Sequence, residues 1–242
     1  MSQATFALAL NMPKMAVSKW GRVGRGRRRH APRLGSLRDV WRASPARWRR
    51  FPPVGFVRPC EPTPTDHPPA GAGWLHEVKH DGFRILVRKL GERSKVWSRR
   101  GADFTDRFSA IAEAVRGLKV DRALIDGEAV VIMDDGRSDF GALLTKRGGA
   151  QASLVAFDPL RLEGDDQRLR PIEARREMLM RLVEGVDRIL FSEALAAEGE
   201  VVFAKACELG LEGIVSKRAG SFYRSGKSRN WLKTKNPDFV RT

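Results

Sequence analysis

The fold of this chain is set around residues 74–84, which read Trp74-Leu75-His76-Glu77-Val78-Lys79-His80-Asp81-Gly82-Phe83-Arg84. Residues 74–79 and 83–88 have the apolar and β-branched content of strands, and they flank His80-Asp81-Gly82. Because aspartate followed by glycine favours a tight turn, the sequence predicts two strands around this point. Lys79 then lies at a strand end beside the turn, where its amine can project into a cleft.

Outward from this stretch, the chain alternates short strands with helices. Apolar residues recur at helical spacing in residues 106–117, where Phe108, Ile111, Ala112 and Val115 share one face. This pattern of many short strands with interspersed helices predicts an α+β fold of antiparallel sheets flanked by helices. The other predicted helices are 138–146, 171–183 and 200–209, and the other predicted strands are 95–98, 122–133, 153–158, 189–192, 214–217 and 231–235.

Positive charge is concentrated at the N-terminus. The 242 residues carry a formal charge of +16 and a pI near 10.8, which favours nucleic acid or another polyanion as the partner. Residues 1–52 contribute +12 of this charge and show no sustained periodicity, so we expect a mostly disordered basic arm. Tryptophans among its arginines suit phosphate neutralisation and base stacking. A targeting peptide, a solvated tail and a misassigned start remain alternatives for the arm.

Composition also sets the domain plan and the compartment. Residues 53–73 contain six prolines and form a lead-in to a domain over residues 74–236, which residues 237–242 follow as a tail. Two cysteines, Cys60 and Cys207, cannot make a disulfide framework, so a reducing, cytoplasmic location is expected. No apolar run approaches the about 20 residues of a membrane span.

Lysines and carboxylates near glycines indicate phosphate chemistry. A lysine amine attacks phosphorus only in its neutral form, and the cations Lys233 and Lys235 would favour that form at Lys79. The two cations alternate with Thr234, so a strand places both on one face. Glu128 and Glu212 each follow or precede a glycine and offer the oxygen ligands that Mg²⁺ prefers.

An aromatic residue and several arginines complete the set. Phe157 offers a flat face for a base, and Arg84, Arg99 and Arg100 offer contacts to sugar or phosphate. Each residue alone also fits an ordinary structural role, such as a surface hairpin, a core aromatic or a solvated ion. The inference therefore depends on six segments in order: Lys79 to Arg84, Ser98 to Gly101, Asp126 to Glu128, Phe157-Asp158, Glu212 to Lys217, and Trp231 to Lys235.

This ordered set resembles the nucleotidyltransferase (adenylation) domain of ATP-dependent DNA ligases, particularly the bacterial end-joining ligase D type. The resemblance runs from about Phe56 to Asn236. Longer matching strings are Trp74 to Lys79, Asp106-Arg107-Phe108, Asp135 to Phe140, Leu209 to Arg218, and Tyr223 to Ser228. It implies an ATP-grasp-like fold and an enzyme that binds DNA as nicked duplex or ends, in the bacterial cytoplasm and associated with the nucleoid.

The resemblance also implies a role for each site residue. Lys79 would attack the α-phosphorus of ATP and form a lysyl-AMP intermediate, and AMP would then pass to a DNA 5′-phosphate and be displaced by a 3′-hydroxyl. Glu128 and Glu212 would bind Mg²⁺ or Mn²⁺. The remaining roles are adenine contact for Glu77, adenine stacking for Phe157, ribose or 5′-phosphate contact for Arg84 and Arg99, ribose contact as an alternative for Glu128, and phosphate contact for Lys217, Lys233 and Lys235.

Two features depart from the family pattern. Seven residues follow Lys235, whereas ligases of this type continue into an OB-fold of roughly 70 residues or more, which we expect to be absent. Pro159 is also unusual and should bend the segment after Phe157. Two interpretations remain open: an adenylyltransferase that seals nicks, and a non-ligating DNA-binding accessory or remnant that needs an OB domain from a partner.

Overall fold

Eleven strands, five α-helices and one short 3-10 helix make up the part of the chain that the structure, a computed structural model, describes: residues 55–195 and 197–241. The strands are β1 (Cys60–Pro64), β2 (Trp74–Val78), β3 (Phe83–Leu90), β4 (Arg93–Ser98), β5 (Arg122–Val130), β6 (Ser153–Leu162), β7 (Asp165–Asp166), β8 (Ile189–Phe191), β9 (Ala194–Leu195), β10 (Gly213–Arg218) and β11 (Gly226–Lys235). The α-helices are α1 (Ser109–Arg116), α2 (Phe140–Leu144), α3 (Lys146–Gln151), α4 (Ile172–Val183) and α5 (Gly199–Glu208), and Gln167–Leu169 is the 3-10 helix.

The strands form two sheets. The first has the order β1-β11-β10-β2-β9, and the second has the order β4-β3-β5-β6-β7, with β8 paired to β6. Most neighbours are antiparallel, while β1 with β11 and β6 with β8 are parallel. The predicted α+β fold of antiparallel sheets with helices is confirmed.

The strands on either side of His80-Asp81-Gly82 do not pair with each other. β2 pairs with β10 and β9 in the first sheet, whereas β3 pairs with β4 and β5 in the second. The predicted strands are present on either side of His80-Asp81-Gly82, and at this point the chain crosses from the first sheet to the second. A Cβ at Gly82 would lie 2.3 Å from the carbonyl oxygen of Ala129, so glycine permits the crossing.

Three apolar clusters hold the layers together. The largest packs the second sheet against α1 and α4, and it buries the predicted helical face of Phe108, Ile111, Ala112 and Val115. A second cluster packs the first sheet against α5. The third lies between the sheets and includes Leu86, Leu124, Phe157, Leu160, Tyr223 and Trp231. Because strand side chains alternate, every second residue of β3, β5, β10 and β11 faces this inter-sheet space.

One helical segment and one extended segment differ from the prediction. Two short helices, α2 and α3, take the place of the single helix predicted over residues 138–146. Thr145 between them has an extended backbone, and its Oγ1 accepts a hydrogen bond from the N–H of Gly148, which caps the start of α3. The Pro-rich lead-in contains β1, which pairs in parallel with β11. Residues 1–52, for which a disordered arm was predicted, lie outside the described residues.

Candidate active site

A cavity of about 440 Å³ opens between the two sheets. It gathers most of the predicted site residues from distant parts of the sequence. Its lining includes Glu77, Lys79, Arg84, Arg99, Glu128, Phe157, Lys217 and Lys233, together with Cys60, Glu61, His80, Ser192, Lys227 and Trp231. Glu212 and Lys235 are outside this lining, and Glu212 joins the site through its ion pair with Lys79 while Lys235 joins it through its ion pair with Glu212.

The Lys79 amine is paired with a buried carboxylate. Lys79 follows β2, and its backbone N–H donates to the carbonyl of Gly213 at 3.0 Å. Its Nζ donates to Oε2 of Glu212, while Nζ of Lys235 lies 3.2 Å from Oε1 of the same residue. The side chain of Glu212 is 5% exposed. The nucleophile candidate is therefore held at the cavity wall by a charged hydrogen bond.

Local backbone geometry places Glu212. The next residue, Gly213, has φ +135°, and a Cβ there would lie 2.1 Å from the carbonyl oxygen of Thr234. Asn236 then anchors the segment, because its N–H donates to the carbonyl of Glu212 at 3.0 Å and its Nδ2 donates to the carbonyl of Leu211 at 3.1 Å. The end of β11 thus supports the start of β10 beside the lysine.

Glu128 brings a second carboxylate to this side of the cavity. Burial raises its pKa to about 7, although the positive charges of Arg84 and Lys79 act in the opposite direction, and the charge of Glu212 adds to the increase. Carboxylates on one side of a cavity offer the oxygen ligands that fit a hard divalent cation. No cluster of three or more His, Cys, Asp or Glu side chains suited to a metal occurs in the described part of the chain.

A second buried network orients Arg84. Its Nε and one terminal nitrogen donate to the two carboxylate oxygens of Asp126 at 2.6 and 2.7 Å. The Tyr223 hydroxyl donates to the same carboxylate at 2.6 Å and accepts from the N–H of Cys60 at 2.8 Å. Asp126 is fully buried, so the bidentate pair fixes the guanidinium rather than leaving it mobile.

Phe157 presents its ring to the cavity because its strand is irregular there. The β5–β6 register shifts between Asp126 and Gly127, so that Phe157 is an extra residue on β6. The Arg84 guanidinium carbon lies 4.4 Å from the ring centroid, and Trp231 packs edge-on at 6.0 Å. β6 continues unbroken through Pro159, and a second register shift leaves Leu160 as an extra residue directly after the proline.

Glu77 and Lys217 form a buried ion pair. The Lys217 amine lies 2.8 Å from both carboxylate oxygens of Glu77 and 4.2 Å from the Trp231 ring centroid. Arg176 of α4 donates to Oε1 of Glu77, and the Ser192 hydroxyl donates to Oε2 at 2.8 Å. Burial lowers the pKa of Lys217, and the charge of Glu77 opposes this effect.

The cations Lys233, Lys235 and Arg99 are more accessible to solvent than Lys217. Lys233 lines the cavity, and burial together with the charges of Lys79 and Lys235 lowers its pKa. Lys235 is 60% exposed and Arg99 is exposed at the mouth. Accessible cations can meet a polyanionic ligand, whereas the buried Lys217 is committed to Glu77.

The sequence assigned no role to several residues of the site, among them Arg176, Ser192, Tyr223 and Trp231. Arg176, Ser192 and Tyr223 are buried and act through hydrogen bonds that join segments far apart in the chain. Tyr223 and Trp231 lay within strings that matched the family, which was a usable signal for both. Arg176 and Ser192 carried no such signal, because an arginine on a helix is ordinarily a surface residue.

Sequence profiles and relatives agree with this geometry. The profile of the family described as "ATP dependent DNA ligase domain" matches residues 67–235. The chain is 38% identical over 191 residues to the multifunctional non-homologous end joining protein LigD of Pseudomonas aeruginosa, covering 77% of this chain and 23% of that protein. It is 33% identical over 176 residues to a DNA ligase of Thermococcus fumicolans, covering 66% of this chain and 32% of that one.

Solved structures show the same fold. The ligase domain of Mycobacterium tuberculosis LigD superposes with a TM-score of 0.64 at 29% identity, and a mycobacterial DNA ligase D complexed with ATP and MES superposes with a TM-score of 0.63 at 28% identity. Each alignment covers 74% of this chain and 60% of the solved chain. This chain therefore spans about a quarter to a third of the curated relatives and about three fifths of the solved domains.

Proposed function

The chain belongs to the ATP-dependent DNA ligase domain family, and from that premise we propose that it forms a lysyl-AMP intermediate on Lys79 and transfers AMP to a 5′-phosphate in DNA. The observation that carries this proposal is the Lys79 amine, paired with buried Glu212 at the wall of a cavity that also holds Phe157 and Lys233. A nucleophile, a base platform and phosphate-binding cations thus occupy one space.

The first step balances as a displacement at phosphorus. The Nζ of Lys79 forms a P–N bond to the α-phosphorus of ATP, and pyrophosphate leaves with the electrons of the broken P–O bond. The amine must shed protons to attack, and Glu212 supplies a carboxylate already hydrogen bonded to that atom. Lys233 and Lys235 stabilise the negative charge that develops on the phosphate oxygens.

We propose that Glu128 and Glu212 hold a divalent cation, Mg²⁺ or Mn²⁺, when ATP is present. Such an ion supplies charge neutralisation at the phosphates. Glu128 suits this role because burial and its neighbouring carboxylate make its lone negative charge costly, so that a cation beside it is favourable. Arg84, fixed by Asp126, and Arg99 would hold ribose or the DNA 5′-phosphate.

DNA is the proposed partner, and nucleoid association would follow from it. The exposed cations Arg99, Lys227 and Lys235 lie at or beside the cavity mouth, where they can meet a phosphate backbone. None of the helices within the described ranges has the length and apolar character that a membrane span requires. A partner that supplies an OB-fold is proposed only for the later, sealing step.

The experiment follows AMP from protein to DNA. Protein labelled with AMP is freed of ATP and mixed with duplex DNA that carries one nick with a 5′-phosphate. We expect label to move to the 5′ end of the nick, and a nick lacking the phosphate to serve as the control that receives none. Labelled protein that never transfers AMP would instead support the DNA-binding accessory.

A further inference from the structure

We propose that the Ser192 hydroxyl is the specificity-determining acceptor that recognises the exocyclic amine of adenine. This inference rests on the proposed function, because it presumes that the cavity between the sheets takes ATP. Ser192 lines that cavity together with Glu77, Phe157 and Lys217, and it is 3% exposed. No part of the sequence pattern singled it out.

The backbone of Ser192 is held on both sides. It follows β8, and its N–H donates to the carbonyl of Ala156 at 2.9 Å. Its own carbonyl accepts from a terminal nitrogen of Arg176 at 2.7 Å. Both contacts are buried, so the hydroxyl is presented to the cavity from a fixed position.

The hydrogen of this hydroxyl has a fixed direction. The Oγ of Ser192 lies 2.8 Å from Oε2 of Glu77 and donates to it, because a carboxylate can only accept. A serine hydroxyl has one hydrogen and two lone pairs. With its hydrogen committed to Glu77, Ser192 can act toward the cavity only as an acceptor.

Glu77 itself has little capacity left for a base. A carboxylate offers about four acceptor positions. Arg176 and Lys217 both contact Oε1, and Ser192 and Lys217 both contact Oε2. Three donor groups, from Arg176, Ser192 and Lys217, thus already occupy most of the carboxylate, and the hydroxyl that it orients offers a further acceptor to the cavity.

The position of Ser192 suits a base rather than a phosphate. Ser192 and Lys217 share Glu77 as a partner, and the Lys217 amine lies 4.6 Å from the Phe157 ring centroid and 4.2 Å from that of Trp231, so both rings lie on this side of the cavity, where the buried charges are already paired. The accessible lysines that suit phosphates belong to the Lys79 side. Adenine would place a donating amine against the Ser192 acceptor, whereas guanine would place a carbonyl there and leave two acceptors facing each other.

The test compares two nucleotides that differ only in this amine. Equilibrium affinities of the full chain are measured for ATP and for purine riboside triphosphate, which lacks the amine, without added metal. We expect the unmodified protein to favour ATP by about tenfold, the worth of one hydrogen bond between protein and ligand. In Ser192→Ala that ratio should fall to within about twofold of unity.

Two further variants separate the hydroxyl from packing. Ser216→Ala removes another buried serine hydroxyl, which pairs with Nδ1 of His76 at 2.9 Å and lies outside the cavity lining. This variant should keep the full ratio of the affinities for ATP and purine riboside triphosphate. Ser192→Thr keeps a hydroxyl and should keep the ratio as well. Loss of the ratio in both Ser192 variants would assign the effect to packing and overturn the proposal.

The remaining outcomes are also decisive. An unchanged ratio in Ser192→Ala, or equal weakening for both nucleotides, would show that another acceptor holds the amine. Because binding is measured without chemistry, the ratio stays readable even if Lys79 is never labelled. A protein that binds ATP with the expected ratio but forms no lysyl-AMP would thus contradict the proposed function while supporting the role of Ser192.

Discussion

At the scale of single residues, the site is a set of charges that compensate one another in a partly buried space. The Glu212 carboxylate forms ion pairs with Lys79 and Lys235, and the Glu77 carboxylate forms ion pairs with Lys217 and Arg176. Glu128 differs, because no described side chain forms a salt bridge or hydrogen bond with it and burial raises its pKa to about 7. It is the carboxylate with the most to gain from a bound cation.

Glu128→Gln should change how stability depends on pH in metal-free buffer. The native pKa of about 7 lies above the ordinary value of 4.5, so the native state binds this proton more tightly than the unfolded chain. The resulting stabilisation is present below the ordinary pKa and is lost as the pH rises through about 7. Denaturant titrations of both proteins across this range should show the unmodified protein losing stability relative to the variant. A difference that stays constant with pH would contradict the assignment.

The sequence singled out most of the residues that line the cavity, but not the residues that support them. Lys79, Glu128, Phe157 and Lys233 lie in short segments whose residue types suit phosphate chemistry, and all of them line one cavity. Arg176 of α4 and Ser192 after β8 belong to the layer of the second sheet, and they meet Glu77 of the first sheet only in the folded chain. Contacts between segments about a hundred residues apart leave no local pattern, so sequence periodicity could not reveal them.

At the scale of elements, the Pro-rich lead-in shows why a strand can escape prediction. β1 contains Pro62 and Pro64 and lacks the alternation of a half-buried strand. It lies at the edge of the first sheet, where one side of the strand needs no partner and proline is tolerated. The strand nevertheless forms one wall of the cavity, with Cys60 bound to the Tyr223 hydroxyl.

The crossing between sheets was missed for a related reason. Asp81-Gly82 carries the residue types of a hairpin turn, yet Lys79 is bonded to Gly213 of the first sheet and Phe83 pairs with Ala129 of the second. Turn residues indicate where a chain changes direction, and they do not specify which strands pair. Tertiary packing determines which strands pair.

Two glycines allow a matched test of how β10 begins. Gly213→Ala should destabilise the fold by more than about 3 kcal/mol, since its φ of +135° is strained for other residues and the new Cβ would meet the carbonyl of Thr234. Gly210→Ala also has positive φ, +66°, but its nearest neighbour is 4.0 Å away, so only the roughly 1–2 kcal/mol of a left-handed residue is expected. Thermal or denaturant unfolding measures both, and equal losses would contradict the account.

Across the whole molecule, most of the net positive charge and the cavity lie in different parts of the chain. Residues 1–52 hold +12 of the formal charge, while the cavity is formed by residues of the described domain. If the cavity performs the proposed nucleotide chemistry and the basic residues attract DNA, the two functions have different sources in the sequence.

Deleting residues 1–52 should weaken DNA binding but leave lysine adenylation intact. If about six arm residues reach phosphates, the slope of log K against log salt concentration should become shallower by roughly five. Titrations of nicked duplex at several salt concentrations compare the two proteins, and labelling by ATP provides the control for an intact site. Identical affinities and slopes would leave the arm without a role on DNA.

The most direct measurement of the central claim is the site of AMP attachment. The full chain is incubated with ATP and Mg²⁺, digested, and the modified peptide sequenced by mass spectrometry, with Lys79→Ala treated in parallel and Lys95→Ala as a lysine control outside the cavity lining. We expect one AMP on Lys79, the same adduct in Lys95→Ala, and none in Lys79→Ala. AMP on another residue, or an equal adduct on folded Lys79→Ala, would contradict it.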